Sequence, residues 1–232
     1  IQGGDGDDRI EGGDGDDEIF GGAQDDGLLG DSGRDRIFGE AGHDVIGGDD
    51  GNDRLNGGSG RDFIDAGHGD DRISGGKGAD DLNGKSGRDE IKGGSGKDSI
   101  DGGSGQDRLS GNSGDDIISG GGANDTLFGD AGNDRLGGGQ GDDMLTGGAG
   151  ADTFEYLFVS NDPNFEGNDV ILDFQADDVI RINGDRAANI GLTPAGIDAL
   201  ITFGSGSILV KNVTLPQLEV VDTQNGVDIT LL

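Results

Sequence analysis

Residues 3 to 20 read GGDGDDRIEGGDGDDEIF, nine residues followed by very nearly the same nine again. From Gly3 to Glu155 the pattern G-G-x-G-x-D-x-U-x, with U apolar, keeps its register through seventeen copies without an insertion or deletion. A period this short leaves little choice of fold, because each unit is too small to bury anything alone and must stack on others like it. The sixth position is Asp in every copy: Asp8, Asp17, Asp26, Asp35, Asp44, Asp53, Asp62, Asp71, Asp80, Asp89, Asp98, Asp107, Asp116, Asp125, Asp134, Asp143 and Asp152. The eighth is apolar in every copy, from Ile10 and Ile19 through Ile64 and Leu82 to Leu145 and Phe154. The first is Gly except at Ala66, and the fourth is Gly except at Gln24 and Ala123. The second is the loosest, with Asp31, Glu40, Asp49, Lys85, Asn112 and Asp130.

Glycine at positions one, two and four admits φ > 0 and close backbone approach, so the first six residues are expected to form a tight turn with inward carbonyls. The last three, one inward apolar side chain between two outward ones, suit a very short strand. A helix has no room. Two facing strands close one coil with two copies, which makes copies i and i+2 parallel neighbours about 4.8 Å apart around an interior ladder of Ile and Leu.

Composition then decides what the Asp column does. The 232 residues include 53 Gly and carry 48 acidic against 16 basic side chains, for a formal charge of −32, and only 30% are apolar. Such a chain is short of core and stays disordered unless something neutralises its carboxylates. The acidic balance argues against nucleic acid and anionic membrane as partners and for cations. There is no Cys for a disulfide or a thiolate site, and no apolar run approaches the roughly 18 residues of a membrane span. Carboxylates stacked about 4.8 Å apart repel one another unless a cation lies between each pair. Oxygen donors on flexible loops, without His or Cys, suit calcium better than zinc or magnesium.

The nonapeptides resemble the calcium-binding β-roll of RTX (repeats-in-toxin) proteins over residues 3 to 155. The resemblance implies an all-β fold, a right-handed parallel β-roll of the β-helix type with two nonapeptides per coil, followed by a small β-rich cap. It also implies that each calcium lies between the loops of copies i and i+2, which allows about 15 internal sites. Each site would take the carbonyls of positions two and four with the Asp of one loop, and the carbonyls of positions one and three with the Asp of the next. The first would use Gly4, Gly6 and Asp8 with Gly21, Ala23 and Asp26. Carried along the chain, the position-two carbonyls are those of Gly4, Gly13, Gly22, Asp31, Glu40, Asp49, Gly58, Gly67, Gly76, Lys85, Gly94, Gly103, Asn112, Gly121 and Asp130. Position four supplies Gly6, Gly15, Gln24, Gly33, Gly42, Gly51, Gly60, Gly69, Gly78, Gly87, Gly96, Gly105, Gly114, Ala123 and Gly132. Position one supplies Gly21, Gly30, Gly39, Gly48, Gly57, Ala66, Gly75, Gly84, Gly93, Gly102, Gly111, Gly120, Gly129, Gly138 and Gly147. Position three supplies Ala23, Ser32, Ala41, Asp50, Ser59, His68, Lys77, Ser86, Ser95, Ser104, Ser113, Gly122, Ala131, Gln140 and Ala149. Substitution at position two keeps a carbonyl and is expected to matter little, whereas Gln24 and Ala123 mark irregular loops.

Residues 156 to 232 change character and are expected to form a second unit. Gly167 to Ile171 repeat positions four to eight, a degenerate last copy. Apolar segments follow: DVILDF, DDVIRI, ALITF, SILVKNV, LEVV and VDITLL. Thr193 before Pro194 suits an N-cap and first turn, so a short helix is expected through about Leu200. FGSGS and TQNGV suit hairpin turns. A solenoid needs its open end covered, and this segment is the expected cap. It also resembles the C-terminal flank of type I secreted RTX proteins, with Asp228 to Leu232 either the acidic-then-apolar export tail or an ordinary edge strand.

ADDLNGKS at residues 79 to 86 fits a loose phosphate-loop spacing but lies in register with the repeat and leads into no helical pattern. His43 and His68 have no catalytic partner, and neither H-E-x-x-H nor G-x-S-x-G occurs, so no enzyme is expected in these residues. Arg36, Arg54 and Arg72 recur every eighteen residues, with Arg108 two coils farther, as local charge compensation or as a stripe for an acidic polysaccharide. Outward Phe20, Phe38 and Phe128 either face a packing partner or are surface scatter. Ile1 and Gln2 stand where a preceding copy would end, so a passenger upstream is expected. The expectation is a module of a larger secreted protein, exported unfolded by type I machinery and folded by extracellular calcium. The alternative is a polysaccharide-binding, adhesin or surface-layer segment.

Overall fold

The structure is a computed structural model that describes residues 1–158, 167–184, 191–195, 198–203, 206–212, 218–223 and 226–231. Its strands begin with β1 (Gln2–Asp5), β2 (Arg9–Asp14), β3 (Glu18–Ala23), β4 (Gly27–Ser32), β5 (Arg36–Ala41), β6 (Val45–Asp50), β7 (Arg54–Ser59), β8 (Phe63–His68) and β9 (Arg72–Lys77). They continue with β10 (Asp81–Asn83), β11 (Glu90–Ser95), β12 (Ser99–Ser104), β13 (Arg108–Ser113), β14 (Ile117–Gly122), β15 (Thr126–Ala131), β16 (Arg135–Gln140), β17 (Met144–Ala149) and β18 (Thr153–Phe158). The last are β19 (Asn168–Ile171), β20 (Val179–Gly184), β21 (Gly191–Ala195), β22 (Asp198–Phe203), β23 (Gly206–Val210), β24 (Leu218–Thr223) and β25 (Gly226–Leu231).

Odd-numbered strands from β1 to β19 lie side by side in one sheet and even-numbered strands from β2 to β20 in the other. Every parallel pair within the repeats is offset by two copies, as in Ile37↔Leu55 and Ile46↔Ile64. The fold is therefore an all-β parallel solenoid with two nonapeptides per coil. Its interior is the eighth-position column, with Ile19, Leu28, Ile37, Ile64, Leu82, Leu109, Leu136 and Phe154 fully buried.

Most repeat strands run for six residues, from position seven through position three of the next copy, and so are longer than the three-residue strands expected from sequence. The reason is pairing. Gly22 opposes Glu40 and Ala23 opposes Ala41, so the ladder extends into the glycine-rich half and satisfies backbone groups there. The turn proper is confined to positions four to six.

The parallel order ends in the last strands. Beyond β19 the first sheet continues β23, β22 and β21, and beyond β20 the second continues β25 and β24. The added strands pair antiparallel with one another, with Phe203 opposite Gly206 and Thr223 opposite Gly226; the residues between them, in the FGSGS and TQNGV segments, lie outside the described set. The helix expected from Thr193 is not formed. Thr193 pairs with Leu200 and Pro194 with Ala199 across antiparallel β21 and β22, because pairing outweighs a local cap signal. Residues 196 and 197 lie outside the described set. Asp228 to Leu231 belong to β25, an interior strand between β20 and β24, and not to an edge strand. Its Ile229 is fully buried, and Asp228 accepts from Arg181 Nε at 3.0 Å.

Candidate metal centres

Each sixth-position Asp ends a turn and points into the coil. Asp26 through Asp152 are at most 3% exposed. One oxygen is hydrogen-bonded: the backbone N–H of each Asp donates to Oδ1 of the Asp two copies later, at 2.7 to 2.9 Å throughout the repeats. The other is not. Oδ2 of Asp8, and of every repeat Asp from Asp26 to Asp152, is buried without a hydrogen-bond partner. A carboxylate in that state is costly unless a cation meets it.

The protonation behaviour shows the same deficit. Burial pushes Asp53, Asp89 and Asp125 up to about 7, against the pull of the neighbouring coil's N–H and with a further push from flanking Asp carboxylates. Burial likewise lifts Asp62, Asp98, Asp116 and Asp134 to about 6.

The glycine positions frame this oxygen for different reasons. Position one has no positive φ; a Cβ there would run into Oδ2 of its own Asp and the position-one carbonyl two copies on, as at Gly39 with Asp44 and Gly57. Oxygens from two coils thus converge on a space that any side chain would fill. Ala66 alone carries a methyl there. Position two is left-handed throughout, and its substituted residues settle at φ 67 to 75°; four of those six are Asp or Asn, the residues that tolerate this region best. Position-four glycines sit at φ 114 to 156°, where side chains are strained, and Gln24 and Ala123 retreat to 82 and 85°. Moreover, a Cβ at Gly60 would collide with the carbonyl oxygen of Gly42.

The expected carbonyl ligands are not equivalent. Position-three carbonyls already accept a position-four N–H from the preceding coil, as Ser59 does from Gly42 at 3.0 Å and Lys77 from Gly60 at 2.8 Å. Position-two carbonyls serve the strand ladder, as Lys85 accepts from Ser104 at 2.7 Å. Position-four carbonyls from Gly6 to Gly132 accept no backbone hydrogen bond among the described residues. Each carbonyl has two lone pairs, so partial use leaves a ligand site. No group of three or more carboxylate or imidazole side chains converges among the described residues, so a cation here draws most of its ligands from the backbone. The donors are all hard oxygens, backbone carbonyls together with orphaned carboxylate oxygens, and they fit calcium.

Sequence reading missed a second ladder. Fifth-position Asp, Asn and His side chains accept the N–H eighteen residues on, as Asp25 does from His43 at 2.8 Å and His43 Nδ1 from Arg61 at 2.7 Å. The signal was present, since most fifth positions carry an acceptor. Asp178 was also missed; it continues the Asp column beyond Asp169, accepting from Asp152 N–H at 3.0 Å. His68 pairs with Ser86 Oγ at 2.7 Å, and Lys85 pairs with Asp65 at 3.2 Å with no helix following.

The arginine stripe lines a groove of about 840 Å³ on the odd-strand side, with Arg36, Arg54 and Arg72 in register. Arg36 reaches Glu18 at 3.9 Å and Arg72 reaches Glu90 at 3.3 Å, while Arg54 between them has no ion pair among the described residues. Phe20 and Phe38 stack at 5.0 Å, and Arg108 lies 4.4 Å over Phe128, so the outward aromatics have partners within the chain.

With this geometry established, the chain belongs to the RTX calcium-binding nonapeptide repeat family, whose model matches in overlapping segments from residue 1 to 154. No curated protein matches it. Among solved structures, the extracellular lipase LipA from Serratia marcescens is similar at 22% identity, over 69% of this chain and 39% of the lipase, with a TM-score of 0.32. The chain thus spans well under two thirds of that lipase. No described helix is long and apolar enough to cross a membrane.

Proposed function

We propose that this chain is a calcium-dependent folding module that supports type I export of a larger secreted bacterial protein and folds only outside the cell. The observation that carries this reading is the column of buried, partnerless Asp Oδ2 atoms. Bound calcium supplies the positive charge that these oxygens lack. The chain does the rest: position one keeps space open, positions two and four turn the carbonyls, and the N–H-to-Oδ1 ladder fixes each carboxylate. Residues 156 to 232 cap the roll. Asp8 through Asp152, with the carbonyls of positions one to four, are the assigned ligands, no residue has a catalytic role, and the passenger lies upstream. Extracellular modules bind calcium with Kd around 10⁻⁴–10⁻³ M, which leaves the chain unfolded in cytoplasm. Circular dichroism through a calcium titration tests this. Strand content should appear cooperatively in millimolar calcium and poorly in magnesium; a spectrum unchanged by chelator overturns the reading.

A second reading rests on the unpaired Arg54 flanked in register by Arg36 and Arg72. With calcium bound, this groove offers cations to an acidic polysaccharide. Salt-sensitive retention on such a polymer, lost in Arg54→Gln, supports it; equal elution of both proteins removes it.

A further inference from the structure

The loop Asp173–Asp178 occupies the place of a nineteenth repeat loop but reads DFQADD where the repeats read G-G-x-G-x-D. It keeps the column's Asp and drops every glycine. None of residues 173 to 178 adopts positive φ, so the backbone turn that aims carbonyls in the repeats is not made here.

Protein donors take up its oxygens instead. Asp178 Oδ1 accepts from Asp152 N–H at 3.0 Å, as upstream, but its Oδ2 accepts from Gln175 N–H at 2.7 Å. The Gln175 side-chain amide donates to the Gly148 carbonyl, the position-two oxygen of the coil below. The Gln175 carbonyl, at position three, accepts from Asp178 N–H at 3.2 Å. Asp173 receives the N–H groups of Gly147 and Gly148 at 2.9 and 2.8 Å. One residue, Gln175, therefore donates to a carboxylate and a carbonyl of the kind a cation would bridge between the loops of Asp152 and Asp178.

We infer that this last loop pair binds no calcium and that Gln175 stands in for it at Asp178 Oδ2 and the Gly148 carbonyl, leaving Asp152 Oδ2 as the one orphaned carboxylate oxygen of the pair, so the cation column stops one pair short of the Asp column. The inference rests on the calcium reading of the repeats. It differs from it in one respect: the stacking of Asp178 on Asp152 is held by protein hydrogen bonds and does not require the ion.

Counting calcium ions on the folded full chain by native mass spectrometry tests it. Asp178→Asn should retain the wild-type count, whereas Asp80→Asn, in the middle of the repeats, should lose at least one ion. A count one lower in Asp178→Asn overturns the inference. A wild-type chain without calcium overturns the function proposed above instead, so the two failures are distinguishable. Should Asp178→Asn not fold, Gln175→Ala decides. Removing the side chain beyond Cβ, and with it the bond to the Gly148 carbonyl, should raise the calcium midpoint about threefold, about 0.7 kcal/mol by the relation of tenfold to about 1.4 kcal/mol. An unchanged midpoint, with the wild-type count, would show that the amide replaces nothing and overturns the inference.

Discussion

The repeat loops and the loop Asp173–Asp178 stack the same Asp column in two ways. In the repeats, glycine vacates space and turns carbonyls, and one oxygen of nearly every Asp is left with no donor. In the last loop Asp173, Phe174 and Ala176 stand where the repeats carry glycine, and the strands beside it change likewise. Tyr156 and Ile182 follow Glu155 and Arg181 where the repeats would restart with glycine, and both are buried. Burial, then the Asp169 and Asp143 carboxylates, push the Tyr156 hydroxyl well above its usual range. Phe174 packs on Phe154 with ring centres 6.1 Å apart. Where glycine clears the space an Asp oxygen is left without a donor, and where the glycines are gone protein donors meet both oxygens of Asp178.

The largest expected effect comes from removing residues 156 to 232. Residues 1 to 155 alone lose the buried Ile171, Phe174, Ile180, Ile182, Ile201, Ile208, Val210 and Ile229, each worth about 1.5–3 kcal/mol. The calcium midpoint should rise more than tenfold or folding should fail. Residues 1 to 227 should also fold worse than the full chain, because Ile229 and the Arg181–Asp228 pair are lost from an interior strand. Calcium titrations of the three chains by circular dichroism make the measurement. Equal midpoints would show that the repeats need no such end.

Next in size is acid. A carboxylate raised from its usual value to about 6 or 7 in the fold, as at Asp53, Asp62, Asp89 and Asp125, favours folding when protonated. That contribution is present below the unfolded Asp value and is lost as pH rises through 6 to 7. In chelator, strand content should therefore increase as pH falls from 8 to 5, and calcium binding near pH 6 should release protons. Calorimetry in buffers of different ionisation enthalpy detects that release.

Backbone substitutions come third. Gly60→Ala meets both φ 140° and the Gly42 carbonyl and should cost about 1–3 kcal/mol, raising the calcium midpoint severalfold. The reverse changes are smallest. Gln24→Gly and Ala123→Gly relieve the retreat to φ 82 and 85° and should lower the midpoint, by a fraction of the factor of ten that about 1.4 kcal/mol represents. Identical midpoints for all three variants would mean that position four carries no conformational demand.

Much of this was legible in the chain. The unbroken register gave two copies per coil, the parallel pairing and the Asp column, because a period of nine admits few ways to stack. Two things were not legible. Glycine at position one resembles glycine at position four in sequence, yet the first is required by space and the second by φ, which only the neighbouring coil reveals. The Thr193–Pro194 signal pointed to a helix because capping chemistry is local, whereas the partner that captures it, β22, lies farther along the chain.

Pro194 has one more consequence. It lies in β21, the outermost strand of its sheet, where a residue without N–H interrupts any ladder a newcomer could build. A stack of parallel coils is otherwise a template for its own elongation. Two antiparallel pairings, β23 with β22 and β22 with β21, bring this rim strand back to the direction of the repeats, so proline, and not strand reversal, is the feature that hinders a further coil from pairing there.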